Sequence, residues 1–345
     1  MRIILDGMGG DNAPGEIVKG AAIASKLVNH EICIIGDEEL IKKALSGHDH
    51  EPKNISIEHA TEVITSEDKP VSAIRHKKDS SIVKGMMLVK NGEGDMFLSA
   101  GNSGAIMTGS LLLLGRIGNI DRPALGAPYP FVCKGTVGLL IDAGANPEVR
   151  PNNLLYFGAM GRLYAEKVFG FNEPTIGLVN MGTEPGKGSP TLKEAYDLLE
   201  MAKERKGFNF VGNIEGRDVP LGIVDVIVCD GMTGNIILKL TEGMGISVMD
   251  LMKQYFLSSF SAKVGAMLLK PKLKEMKSAF NYNEYGGAPI LGVNAPILKI
   301  HGSSNYEAVV SGILKAVPYV EENVIGEIEK IVAELDEILE SRTEA

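Results

Sequence analysis

Five glycine-rich turns combine Gly with Asp, Asn, Ser or Thr, a composition that suits a polar, backbone-lined site. The first is Asp6-Gly7-Met8-Gly9-Gly10-Asp11, with three glycines and two aspartates in six residues. The others are Gly101-Asn102-Ser103-Gly104, Asp142-Ala143-Gly144-Ala145-Asn146, Gly182 to Ser189 with Lys187 between Gly186 and Gly188, and Asp230-Gly231-Met232-Thr233-Gly234-Asn235. Glycine lets backbone N–H groups approach a ligand closely, and a lysine between glycines reaches an anion as an unhindered point charge. His301 adds an imidazole in Lys299-Ile300-His301-Gly302-Ser303-Ser304-Asn305, where Ser303 or Ser304 is expected to cap a helix beginning near residue 304. This set suits chemistry done by positioning and charge on an anionic substrate.

Each turn follows an apolar run. Runs at residues 3–5, 32–36, 55–59, 96–100, 137–142, 176–181, 208–211 and 224–229 read as strands, and several are apolar at almost every position, as suits burial on both faces. Helical patterns at 14–28, 38–46, 80–91, 103–116, 152–168 and 191–205 separate them. At the first junction, Asn12 is expected to cap the helix, with Pro14 in its first turn. Alternating strands and helices predict a mainly parallel sheet in a three-layer α/β/α fold. In such sheets ligands lie beyond the carboxyl ends of the strands, so the five turns are expected to converge on one edge as a polar cleft.

At 345 residues and with 44% hydrophobic and 23% charged residues, the chain has the composition of an ordinary globular protein. A net charge of −9, no tryptophan and 6% aromatics argue against nucleic-acid binding. Cys33, Cys133 and Cys229 have no CxxC spacing, which predicts no structural zinc, and Cys33 and Cys229 read as buried reduced thiols. No metal or cofactor is expected. The chain opens on a core strand with no signal peptide and has no apolar run of membrane-spanning length, so a cytoplasmic location is expected. The motifs GxGxxG, GxxxxGK[ST], GxSxG and HExxH are absent.

Two segments depart from the alternation. Residues 244–277 mix apolar residues with lysines and read as a protruding helical hairpin, suited to a dimer contact or to a bilayer surface. Residues 321–345 hold nine carboxylates against two basic residues on an amphipathic helical pattern. We therefore expect one α/β/α catalytic domain over 1–320, followed by an acidic C-terminal helix.

Taken together, ILDGMGGDNAPG (4–15), GNSGA (101–105), GTEPGKG (182–188), CDGMTGN (229–235) and HGSSN (301–305) resemble the bacterial acyl-[acyl-carrier-protein]:phosphate acyltransferases, in family order over roughly residues 1–320. The resemblance implies a fold similar to phosphate acetyltransferases and isocitrate-dehydrogenase-like enzymes, and a homodimer. It implies transfer of a fatty acyl group from acyl carrier protein to inorganic phosphate. The acyl phosphate would feed a membrane glycerol-3-phosphate acyltransferase in phospholipid synthesis. It also implies a protein held peripherally on the inner face of the cell membrane. Val264, Met267, Leu268, Leu269, Lys270 and Lys272 would then face an anionic membrane surface.

From residue chemistry we expect Asn102, Ser103 and Lys187 to bind phosphate, Asp230 and Asn235 to shape the thioester pocket, and His301 to act as base or as donor on the thiol side. Lys187, Asp230 and His301 are the catalytic candidates. Asp6, Gly9, Gly10, Asp11, Gly104, Asp142, Gly186, Gly188, Gly231, Thr233, Gly234, Ser303 and Asn305 complete the expected binding shell. The acidic carrier protein would dock on lysines of 263–277 or on Arg75, Lys77 and Lys78. Two other readings stay open: a phosphate acetyltransferase-like enzyme using acyl-CoA, and a non-catalytic scaffold at the membrane surface.

Overall fold

The computed structural model describes residues 1–204, 207–279 and 286–343. The apolar runs form strands β1 (Arg2–Asp6), β2 (Glu31–Gly36), β3 (Ile55–His59), β4 (Met96–Ser99), β6 (Thr136–Ile141), β7 (Thr175–Asn180), β8 (Asn209–Glu215) and β9 (Val226–Val228). Three further strands were not expected from the sequence: β5 (Ala124–Phe131), β10 (Ala288–Leu291) and β11 (Ile297–Lys299). The helices are α1 (Gly15–Ala24), α2 (Glu38–Leu45), α3 (Pro70–His76), α4 (Ser81–Lys90), α5 (Ser103–Gly109), α6 (Pro151–Lys167), α7 (Pro190–Ala202), α8 (Gly231–Leu257), α9 (Phe260–Ala279), α10 (Tyr306–Glu321) and α11 (Val324–Thr343).

The strands form one sheet in the order β3-β2-β1-β4-β11-β10-β5-β6-β9-β7-β8. Neighbours within β3-β2-β1-β4-β11 are parallel, as are those within β6-β9-β7-β8. Between the blocks, β10 is antiparallel to β11 and β5, and β5 is antiparallel to β6. Three reversals turn the second block against the first. The expectation that five turns share one edge is therefore corrected. The turns after β1 and β4 leave one block, and those after β6, β7 and β9 leave the other in the opposite sense. Register brings these ends together at the seam, because Ser99 pairs with Lys299, Lys299 with Ala288, Ile290 with Leu125, and Gly126 with Ile141.

Side-chain alternation along the strands fills two layers in each block. In β1, Ile3 and Leu5 join the core under α1, α2 and α10, whereas Ile4 joins the core under α4 and α5. In β6, Leu139 and Ile141 pack against α6, α7 and α11, while Leu140 faces Ile237 and Leu238 of α8. Helix α11 buries Val324, Ile328, Val332 and Leu335 against the α6 side. The helix expected over 103–116 is α5, followed by a π-helical turn at Ser110–Leu114. Of the cysteines, Cys33 and Cys229 are buried, and Cys133 is exposed in the turn between β5 and β6.

Helix α8 begins at the seam and runs 27 residues, about 40 Å at 1.5 Å per residue. Only Gly231, Gly234 and Gly245 along it are buried. It pairs with α9 as the expected hairpin. Phe260, Val264, Met267, Leu268 and Leu269 of α9 are exposed. No described helix is long and apolar enough to cross a membrane.

Candidate active site

The Asp6 carboxylate ends β1 fully buried. It accepts the Met8 amide at 3.1 Å and the Ser99 hydroxyl at 2.6 Å, and the Ser99 oxygen accepts the Gly101 amide at 2.9 Å. Burial pushes the Asp6 pKa up, against the pull of these donors. Gly9 is required here, because a Cβ would lie 2.3 Å from Asp6 Oδ2 and 2.7 Å from the Gly101 nitrogen. The third turn of this block joins the same assembly. The Asp11 amide donates to the Gly302 carbonyl at 2.8 Å, and Asn12 Nδ2 reaches the Ser303 and Ser304 carbonyls at 3.3 and 3.2 Å. Asn12 thus ties loops together and does not cap α1, which runs from Gly15; Pro14 is its N-cap, not a first-turn residue, and no side chain caps it. The cap of α10 is Asn305, whose side chain accepts the Ala308 amide, in place of the expected Ser303 or Ser304.

In the second block, buried Asp142 accepts five hydrogen bonds, from the amides of Leu125, Gly144, Ala145 and Asn146 and from Asn146 Nδ2, at 2.7–3.1 Å. It holds its own turn and β5 in place. Asp230 caps α8, taking the Thr233 amide at 2.9 Å and the Thr233 hydroxyl at 2.7 Å. Asn102 caps α5 through the Ala105 amide at 3.0 Å, and its Nδ2 donates to the Thr65 carbonyl at 2.9 Å.

Where the two blocks meet lies a cavity of about 330 Å³. From the first block it takes Ser103, Lys299, Ile300, His301 and Ser304, and from the second Ala143, Gly144, Asn235, Lys239 and Glu242. Leu125, Ala127 and Pro128 of β5 and Leu238 of α8 give it an apolar wall. Of the expected binding and catalytic residues it gathers Ser103, Asn235 and His301. Asp6, Gly9, Gly10, Asn102, Asp142, Asp230, Gly231, Thr233 and Gly234 do not line it. Asp11, Gly104, Ser303 and Asn305 also lie outside the lining.

Lys187 does not line this cavity. It sits in the turn after β7, exposed, 3.9 Å from Glu184, on a loop pinned by Asn180 Nδ2 to the Lys187 carbonyl at 3.1 Å. Gly186 and Gly188 share that loop. Of the basic cluster Arg75, Lys77 and Lys78, Lys77 is bound to Asp68 at 2.6 Å.

The charges in the cavity are ones that the motifs did not reveal. Lys239 Nζ lies 2.7 Å from Glu242 Oε2. Lys299 ends β11, and burial lowers its pKa, with Lys239 acting in the same direction and Glu242 against it. The signal was present as a lysine inside the apolar run Ile297-Leu298-Lys299-Ile300. Burial, then Lys299 and Lys239, hold the His301 pKa below the ordinary imidazole value, so the ring is neutral at pH 7. Its Nδ1 faces two donors, the Ser303 hydroxyl at 2.8 Å and the Ser303 amide at 3.3 Å. The amide can only donate, which places the proton of the neutral ring on Nε2. Among the described residues no group of three or more His, Cys, Asp or Glu can hold a metal.

The sheet with its antiparallel seam is the fold of the phosphotransacetylases. A phosphotransacetylase from Streptococcus pyogenes superimposes with a TM-score of 0.63 at 15% identity, covering 94% of each chain. A branched-chain phosphotransacylase from Enterococcus faecalis gives 0.55 at 14% identity, covering 93% of this chain and 99% of that one. Residues 1–327 match the family described as fatty acid synthesis protein, and the chain belongs to it. A relative from Alkaliphilus oremlandii is 48% identical over 97% of this chain and 98% of its own, and one from Clostridioides difficile is 43% identical over 98% of each. Both relatives are named phosphate acyltransferase, and the chain is an acyltransferase of that kind.

Proposed function

We propose that this enzyme moves a fatty acyl group from the thioester of acyl carrier protein to inorganic phosphate, releasing the carrier thiol and an acyl phosphate for phospholipid synthesis. The observation that carries the reading is the seam cavity, lined by Lys239, Lys299 and His301 and by the apolar Leu125, Ala127, Pro128 and Leu238. Its cationic part suits phosphate, and its wall suits the first carbons of an acyl chain.

The chemistry asks little of a protein nucleophile. A phosphate oxygen attacks the thioester carbonyl, the C–S bond breaks as the C–O bond is kept, and the phosphate proton ends on the departing sulfur. A thiol of pKa about 8.5 leaves readily, so rate comes from holding phosphate against the carbonyl and from donors aimed at the developing charge. The Ser103 hydroxyl, the Asn235 amide and the His301 Nε2–H are the donors at hand.

Outside the cavity, Met232, Ile236, Leu240 and Met244 leave an exposed apolar stripe down α8, which supports a homodimer. Exposed Phe260, Val264, Met267 and Leu268 share one face of α9, with Lys263, Lys270 and Lys272 alongside. That arrangement supports peripheral contact with an anionic membrane, where a glycerol-3-phosphate acyltransferase would take up the product. Lys263, Lys270 and Lys272 also suit the acidic carrier protein.

The test is thiol release from palmitoyl-acyl carrier protein with and without inorganic phosphate, trapping the product with hydroxylamine. Phosphate-dependent release with a trappable acyl phosphate is the expected result. Release without phosphate indicates a thioesterase, activity on acyl-CoA alone indicates the acetyltransferase-like reading, and no release from either donor indicates a scaffold.

A further inference from the structure

We propose that Lys299 is the residue that neutralises the phosphate in the seam cavity, held for that purpose as a cation with no carboxylate of its own among the described residues. The proposal rests on the reaction assigned above and adds a binding residue to it.

Lys299 is the last residue of β11, in register with Ser99 on one side and Ala288 on the other, so it stands at the centre of the sheet where the blocks meet. The groups whose charge reaches it are Lys239 and Glu242 of α8, and its own charge reaches His301 on the turn that follows. Glu242 is paired with Lys239 through Oε2 at 2.7 Å; its buried Oε1 has no hydrogen-bond partner among the described residues, and its charge offsets that of Lys299 only from a distance. The backbone of Lys299 is held by its strand neighbours, but its side chain has no hydrogen bond or ion pair with any described residue. His301 is neutral and cannot compensate it.

A cation drawn away from water without a counter-charge is unfavourable, and proteins keep one where a ligand completes the pair. The low pKa that burial and Lys239 impose has the same origin, and an arriving dianion would reverse it. Lysine provides a compact point charge that can follow a phosphoryl oxygen as it becomes bonded to carbon. The phosphoryl group it would hold can come from inorganic phosphate or from the phosphopantetheine arm of the donor, and kinetics separate these.

The variants are Lys299→Met and Lys299→Arg in the full chain, compared by steady-state kinetics and by thermal unfolding with inorganic phosphate as the probe. For Lys299→Met we expect the phosphate KM to rise at least about tenfold with the donor KM within about twofold. We expect phosphate to raise the melting temperature of the wild type and of Lys299→Arg, but not of Lys299→Met. Without phosphate, Lys299→Met should melt at or above the wild type, since it loses a charge that is paired with no described carboxylate. Three results would overturn the proposal: phosphate stabilising Lys299→Met as it does the wild type, the donor KM rising in place of the phosphate KM, or Lys299→Arg losing phosphate binding as fully as Lys299→Met. If the wild type releases no thiol from any donor, the reaction assigned above fails, while the melting experiment still reads Lys299.

Discussion

The Ser99 hydroxyl is shared between two partners: it donates to the buried Asp6 carboxylate at 2.6 Å, and its oxygen accepts the Gly101 amide at 2.9 Å. One side chain thus couples the glycine turn after β1 to the one after β4. Ser99→Ala should destabilise the protein by about 1–3 kcal/mol, the cost of leaving a buried acceptor short of a donor. The sign with pH follows from burial. Asp6 already has a raised pKa in the folded state, and losing a donor raises it further. The folded state then holds the proton more tightly than the unfolded chain, so stability falls as pH rises through that pKa. Urea unfolding should show a larger deficit for Ser99→Ala at pH 7.5 than near pH 4.5.

A second prediction concerns the junction of α8 with β6. A Cβ on Gly234 would lie 1.9 Å from the Asp142 carbonyl oxygen and 3.0 Å from Cys229 Sγ. Gly234→Ala would ordinarily favour a helix by about 1 kcal/mol. Here α8 has to back away from the seam, at about 1–3 kcal/mol. The net change should be destabilising, and the displaced Asn235, Leu238 and Lys239 should lower kcat/KM. A variant that is more stable and fully active would refute this.

Activity should also record the neutral state of His301. Because burial, Lys299 and Lys239 hold its pKa below about 6.5, the acid limb of kcat/KM that belongs to this ring should lie below that pH. Removing a neighbouring cation favours protonation, so Lys239→Met should shift the limb to higher pH. A limb that stays fixed would place the titrating group elsewhere.

The hairpin gives a prediction independent of the cavity. Leu268 is 78% exposed on α9, beside Met267 and Lys270. Leu268→Glu should abolish cosedimentation with vesicles containing anionic lipid. Thiol release from a soluble acyl donor should stay within about twofold of wild type. Equal vesicle binding by both proteins would remove this face from the membrane contact.

Most of the strands were legible because their residues are apolar on both faces, as in Ile3–Ile4–Leu5 and Val226–Ile227–Val228. The seam was not. Strand β5 reads ALGAPYPF, and its prolines argue against a central strand. The structure shows how they are accommodated. The Leu125 amide points toward β6, at Asp142, so alternation turns the nitrogens of Pro128 and Pro130 away from β6. Strand β10 pairs only with Ala124 and Leu125, which leaves that side of β5 unpaired at both prolines. Missing this strand led to the expectation of a single carboxyl edge. The site was read in the same partial way. Motif grammar found Asp6, Gly9, Asn102, Asp142 and Asp230, whose side chains or tight spaces fix the turns. It passed over Lys299, which stands in an apolar strand with no turn residue beside it until Gly302.

The order of strands also bears on how the chain is synthesised and folds. Strand β4 is flanked by β1 and by β11, and α1 packs so closely on α10 that a Cβ on Gly20 would meet Val309 at 2.5 Å. The first half to leave the ribosome therefore lacks a central strand and a covering helix until the final segment emerges. The strands β5 to β9 form a contiguous stretch that emerges earlier, but its core also waits for Val324, Ile328, Val332 and Leu335 of α11. Domains usually fold from the amino terminus forward. Here neither block can close before the late segments emerge: β11 and α10 complete the first, and α11 covers the second.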